Sequence, residues 1–90
     1  MKEQAIQAKI IKWLDKNGYW TVKTVVCNKK GVPDILACSP TGQMIAIEVK
    51  SATGKPSKLQ EYHIAELNNR GAIALVAWSL AEVIAALTPP

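Results

Sequence analysis

The chain reads as an α/β fold in which a mixed sheet is flanked by helices, with elements in the order α-β-β-β-α-β-α. Three observations predict it. Three short β-branched or apolar runs follow one another before residue 51. A capped helical stretch then separates the third run from a fourth, continuously apolar one. Helical spacing of apolar residues marks both ends of the chain. Successive strands make a meander, and a helix between two strands makes a crossover to a parallel neighbour. At 90 residues and 49% apolar content, residues 1–90 read as one domain with no room for a second core.

Each element has its own local reason. Ile6, Ile10, Trp13 and Leu14 lie at helical spacing, with Lys2, Lys9, Lys12 and Lys16 opposite, and Asn17-Gly18 closes that helix. Residues 19–26 (YWTVKTVV) are aromatic and β-branched, a strand that Lys29-Lys30-Gly31 interrupts. Residues 32–38 (VPDILAC) form the second strand, with Pro33 near its start, where a missing N–H is tolerated. Residues 39–43 turn the chain into a third strand over 44–50 (MIAIEVK). After a loop over 51–56, Ser57-x-x-Gln60 matches a capping box and Gly71 closes the helix it opens. Residues 72–78 (AIALVAW) are apolar without interruption, as in a strand buried on both faces. Ser79-x-x-Glu82 is a second capping box, opening a short helix with Leu80, Val83, Ile84 and Leu87 on one side.

Composition excludes several classes of function. The net charge of +4 is too mild for a histone-like tail but favours an anionic partner. No apolar run approaches membrane-spanning length, and the polar residues scattered through the first ten argue against a signal or transit peptide. Two cysteines and one histidine cannot complete a four-ligand zinc site, and nothing suggests a disulfide framework. A reducing compartment, the cytoplasm, is therefore expected. Cys27 and Cys38 read as small apolar fillers. Trp13, Trp20 and Trp78 read most simply as core, although an exposed Trp20 could stack on an unpaired base.

The second turn sets a register. Pro40-Thr41-Gly42 suits a three-residue hairpin loop, with Gly in the left-handed final position. With Ser39 and Gln43 flanking it, Asp34 falls directly opposite Glu48. Lys50 projects from the same face, while Ile35, Ile45, Ile47 and Val49 fill the other. Opposed like charges, with β-carbons about 4.5–5.5 Å apart, destabilise a sheet. Something positive between the carboxylates is expected, either the Lys50 ammonium or a divalent cation held by oxygen ligands. The plainer alternative is an Asp at a strand start beside a surface Glu-Lys pair.

Val32-Pro33-Asp34, Ile47-Glu48-Val49-Lys50, Gly54-Lys55-Pro56-Ser57 and Gln60 together resemble the virus-type replication-repair nuclease (VRR-NUC) domain, a branch of the PD-(D/E)XK nucleases. The resemblance covers essentially residues 3–79 and implies a restriction-endonuclease-like αβββαβ core followed here by a short C-terminal helix. It implies that Asp34, Glu48 and the Val49 backbone carbonyl ligate Mg²⁺ or Mn²⁺, that Lys50 positions or activates the attacking water, and that Gln60 supports the site. It implies hydrolysis of DNA phosphodiester bonds. Free-standing modules of this length in the family are phage or bacterial proteins acting as homodimers on branched DNA, four-way junctions especially.

Several residues carry two readings. Glu3 is either an acid well placed in the first turn of a helix or, as the resemblance implies, a further metal ligand. Gln60 either closes a capping box or serves the site. Lys29, Lys30, Lys55 and Lys58 are solvated charge or contacts to DNA phosphates flanking the metal face. His63 reads as a packing residue rather than a base. The alanine-rich remainder of the last helix marks a candidate two-fold interface. The competing functions are a non-catalytic nucleic-acid-binding module of the same fold, a structural or partner-binding domain, and a monomeric flap- or nick-directed nuclease.

Overall fold

The computed structural model describes residues 2–89. Its elements are α1 (Glu3–Lys16), β1 (Trp20–Lys23), β2 (Ile35–Cys38), β3 (Met44–Val49), α2 (Lys58–Asn69), β4 (Ile73–Ala77) and α3 (Leu80–Leu87). The strands form one sheet in the order β1-β2-β3-β4, antiparallel for the first two pairings and parallel for β3 with β4. This is the expected mixed sheet.

Strand alternation sorts side chains onto two faces. Ile35, Ala37, Ile45, Ile47 and Val49 point to one, where α1 and α3 pack. Ile6, Ile10 and Leu14 of α1 and Val83 of α3 meet them there, all buried. Each large aliphatic side chain buried in this layer contributes about 1.5–3 kcal/mol. The other face carries Leu36, Ala46 and Glu48, and α2 packs on its β3–β4 half. The apolar core is therefore one-sided, and the second face is free to carry chemistry.

The hairpin between β2 and β3 is built as its residues suggest. Gly42 has φ +89°, Ser39 and Gln43 close the loop through a 2.9 Å backbone bond, and Ile35 pairs with Ile47. Ser57 caps α2 with both bonds of the capping box present. The cap of α3 is less complete. Ser79 Oγ accepts the Glu82 N–H, but Glu82 Oε2 reaches the Trp78 N–H rather than that of Ser79.

Four sequence expectations are corrected. The first strand stops at Lys23 rather than residue 26, because its partner begins only at Ile35. Thr24 makes the last backbone bond, to the Asp34 carbonyl, and Val26 beyond it is 92% exposed. β-branched propensity outran the available partner. The second strand likewise starts at Ile35 rather than residue 32. The fourth strand lies at the sheet edge, so Ile73, Leu75 and Val76 are half-buried rather than enclosed on both faces. One rung of that edge is covered by the Asn68 side chain, which donates to the Ala74 carbonyl and accepts its N–H at 2.8 and 2.9 Å. Finally, Trp20 is 67% exposed and Cys27 is exposed, so neither belongs to the core.

Candidate active site

The site sits where β3 outruns β2. The β2–β3 register continues one step past Ile35–Ile47, which puts Asp34 across from Glu48 on the α2 face. Asp34 does more than face its neighbour: its Oδ2 accepts the Val49 backbone N–H at 2.8 Å, which fixes the carboxylate against β3. The ladder position opposite Val49 is Pro33. Lys50 N–H bonds to Ala77 on β4, so alternation turns the Val49 N–H and C=O toward β2. Pro33 has no N–H to donate, and the Val49 carbonyl is left without its ladder donor.

Glu48 is only 2% exposed. Its Oε2 accepts from Gln60 Nε2 at 3.2 Å and lies 3.6 Å from the Lys50 ammonium. Its Oε1 is buried with no hydrogen-bond partner. Burial, and then the charge of Asp34, push the Glu48 carboxyl up to about 7, against the opposing pull of Lys50. Without a cation, the Glu48 carboxyl is therefore about half protonated near neutral pH.

This donor set suits a hard divalent cation. A buried carboxylate oxygen with no partner, a second carboxylate on the same face and a backbone carbonyl released by a proline are all oxygen ligands. Among the described residues no three His, Cys, Asp or Glu side chains are grouped to share a metal, so the carboxylates stand as a pair. Glu3 and the stem of Lys50 both stand beside Gly54. Glu3 Oε1 and Lys50 Cδ both lie 3.5 Å from the point where a Cβ on Gly54 would sit. The Trp78 indole N–H holds the Gly54 carbonyl at 2.8 Å, so this loop is tied down beside Lys50.

The four lysines are exposed. Lys29 lines a hollow of about 380 Å³ together with Asp34, Gly31 and Val32. Lys58 begins α2, and Lys55 lies in the preceding loop. Two contacts that sequence reasoning missed fasten the lysine segment to α2. The His63 ring Nε2 lies 2.9 Å from the Lys30 carbonyl, to which it donates. Gly31, at φ +75°, approaches so closely that a Cβ there would lie 2.8 Å from Leu59 Cγ. The glycine after two lysines was a turn signal, but nothing in the sequence named the helix it would meet.

The VRR-NUC domain family model matches residues 21–80, more than half of the chain. The chain belongs to the VRR-NUC domain family. A solved structure described as a VRR_NUC domain superimposes with a TM-score of 0.83 at 25% identity, covering 99% of each chain. Another, a VRR_NUC domain protein, gives a TM-score of 0.78 over 97% of this chain and 85% of its own. At 18% identity that second likeness speaks for the fold alone. No curated protein shows significant sequence similarity to the chain. This VRR-NUC domain has the α/β architecture of its structural neighbours, and its family is nuclease-like. Both segments bearing the paired carboxylates lie inside the matched region. Among its described residues no helix is long and apolar enough to cross a membrane.

Proposed function

We propose that this VRR-NUC domain is a divalent-cation-dependent DNA endonuclease, selective for branched DNA such as four-way junctions and acting as a cytoplasmic homodimer. One observation carries the catalytic part. Two carboxylates share a sheet face, one of them buried with an unpartnered oxygen, and an ammonium stands 3.6 Å away. Keeping such a pair ionised is costly unless a cation is bound between them.

Asp34, Glu48 and the Val49 carbonyl would hold Mg²⁺ or Mn²⁺. Bound there, the cation would supply positive charge against the phosphoryl oxygens and lower the pKa of water. The protein's own groups do the rest. The Val49 N–H orients Asp34, and Gln60 orients Glu48. Lys50 places a positive charge where the attacking water and the developing phosphorane charge must be met. Lys29, Lys30, Lys55 and Lys58 take backbone phosphates around this centre, which gives register without sequence selectivity.

The branched substrate and the dimer rest on the family resemblance and on symmetry, since paired cuts need two sites related by a two-fold axis. The exposed Ala81, Ala85 and Ala86 of α3 offer a small-residue surface for that contact. A cleavage assay on junction, flap, nicked and linear duplex DNA, with and without Mg²⁺, tests the reading. Cleavage should require Mg²⁺ and be lost in Asp34→Asn, Glu48→Gln and Lys50→Ala. Binding without Mg²⁺-dependent cleavage would instead mean a non-catalytic module. Light scattering of Ala85→Glu tests the interface, because a dimer that survives this change meets elsewhere.

A further inference from the structure

Helix α2 covers only the β3–β4 half of its sheet face, and the remaining half is an open groove of about 440 Å³. Leu36 and Met44 form its floor. Tyr62 of α2 and Arg70 at its C-terminal cap form one wall, and Lys29 and Val32 form the other. Trp20 extends the floor, because it pairs with Cys38 and Cys38 with Met44 on the same face. Each large hydrophobic residue found exposed among the described residues lies on this side. Trp20 and Met44 are on the sheet, Leu59 and Tyr62 on α2, and Val25 and Val26 in the adjoining hollow that holds Asp34. Apolar surface gathered in this way marks a binding site.

We propose that the groove receives an unpaired DNA strand leaving the cleavage site, a proposal that rests on the nuclease reading above. Continuity is the first argument. Lys29 and Val32 line both the groove and the hollow of Asp34, so a strand held at the carboxylates is delivered into the groove. Charge is the second. Lys29 and Arg70 are its cations, and its one carboxylate, Glu66, accepts from Arg70 at 3.1 Å and from Tyr62 at 3.4 Å. An anionic backbone therefore meets no unpaired negative charge there. Chemistry is the third. Paired bases hide their faces in the stack, whereas unpaired bases present them to aromatic and apolar side chains such as Tyr62 and Met44. The groove thus gives the enzyme a physical means of preferring DNA with an unpaired strand, a flap, a frayed end or an opened junction, over continuous duplex.

The test compares a fluorescently labelled blunt duplex with the same duplex carrying a single-stranded thymidine arm, in chelator so that nothing is cut. The wild type should prefer the armed duplex by about 5- to 150-fold, the range expected from base–aromatic stacking. Tyr62→Ala should remove most of that preference and Tyr62→Phe should restore it, since the ring stacks and the hydroxyl only meets Glu66. Tyr62 is exposed, so neither change threatens the fold. Equal affinity for both duplexes, or an undiminished preference in Tyr62→Ala, overturns the groove; persisting Mg²⁺-dependent cleavage would then leave the nuclease reading standing. A wild type that neither binds nor cuts DNA overturns both. A wild-type dimer that Met44→Glu separates into monomers would assign the groove to a second copy and overturn the proposal.

Discussion

Gln60 bonds Glu48 and caps its own helix with the same amide: Nε2 donates to Glu48 Oε2 at 3.2 Å while Oε1 accepts the Ser57 N–H at 2.8 Å. The capping box and a hold on the buried carboxylate, set against each other as readings of this residue in the sequence, are both made by one amide. The start of α2 is thereby locked to the buried carboxylate, and anything that frays that helix loosens the site.

Ser57→Ala and Gln60→Ala separate the two roles. Both remove a capping bond and should cost about 0.5–2 kcal/mol in urea denaturation. Only Gln60→Ala also strips Glu48 of its donor, and it should lower Mg²⁺ affinity or cleavage by about 10–100-fold. Equal losses of activity in the two variants would mean that Gln60 matters only through the helix.

The raised carboxyl of Glu48 sets a pH dependence. Its folded value of about 7 exceeds the ordinary 4.5, so between those values the folded state holds a proton that the unfolded chain has released. This group's contribution to stability is therefore full below pH 4.5 and lost as pH rises through about 7. Glu48→Gln carries no charge to repel Asp34. In chelator at pH 8 it should melt higher than the wild type by an amount on the order of 1 kcal/mol, or roughly 4–8 °C. The advantage should shrink toward pH 5. Thermal denaturation at the two pH values checks it, and a variant no more stable at pH 8 would refute the strain.

Gly31→Ala should destabilise the fold by about 1–3 kcal/mol, since its left-handed backbone and its close approach to Leu59 both resist a β-carbon. Adding Leu59→Ala should recover the steric part and leave the backbone part. Denaturation of the single and double variants measures both. A single variant as stable as the wild type would show that the lysine segment is not pressed onto α2.

Changing Lys29, Lys30 and Lys55 together to Ala should weaken DNA binding and reduce the slope of log K against log salt by about 0.9 per lost phosphate contact. Titration by fluorescence anisotropy at several salt concentrations gives the slope. An unchanged slope would leave these lysines as solvated charge.

The element order, the caps of α2 and the facing of Asp34 and Glu48 were all legible from residues close in sequence. They depend on local chemistry: Pro40-Thr41-Gly42 dictates the hairpin, the hairpin dictates the register, and alternation then assigns every side chain of β2 and β3 to a face. The position of Lys50 beside Glu48 follows from the same period of two. What escaped the sequence depends on partners distant along the chain. The 19–26 run has strand propensity throughout, yet it pairs only as far as the start of β2 allows. The apolar 72–78 run looks enclosed, yet β4 lies at an edge because no further strand among the described residues pairs with it. The docking of Gly31 and His63 between the lysine segment and α2, the open groove beneath them and the exposure of Trp20 all arise from α2 covering half a sheet face. Pro33 shows both levels at once. Its missing N–H is written in the sequence, but only the tertiary pairing makes the carbonyl it leaves free that of Val49, between the two residues that hold the charge.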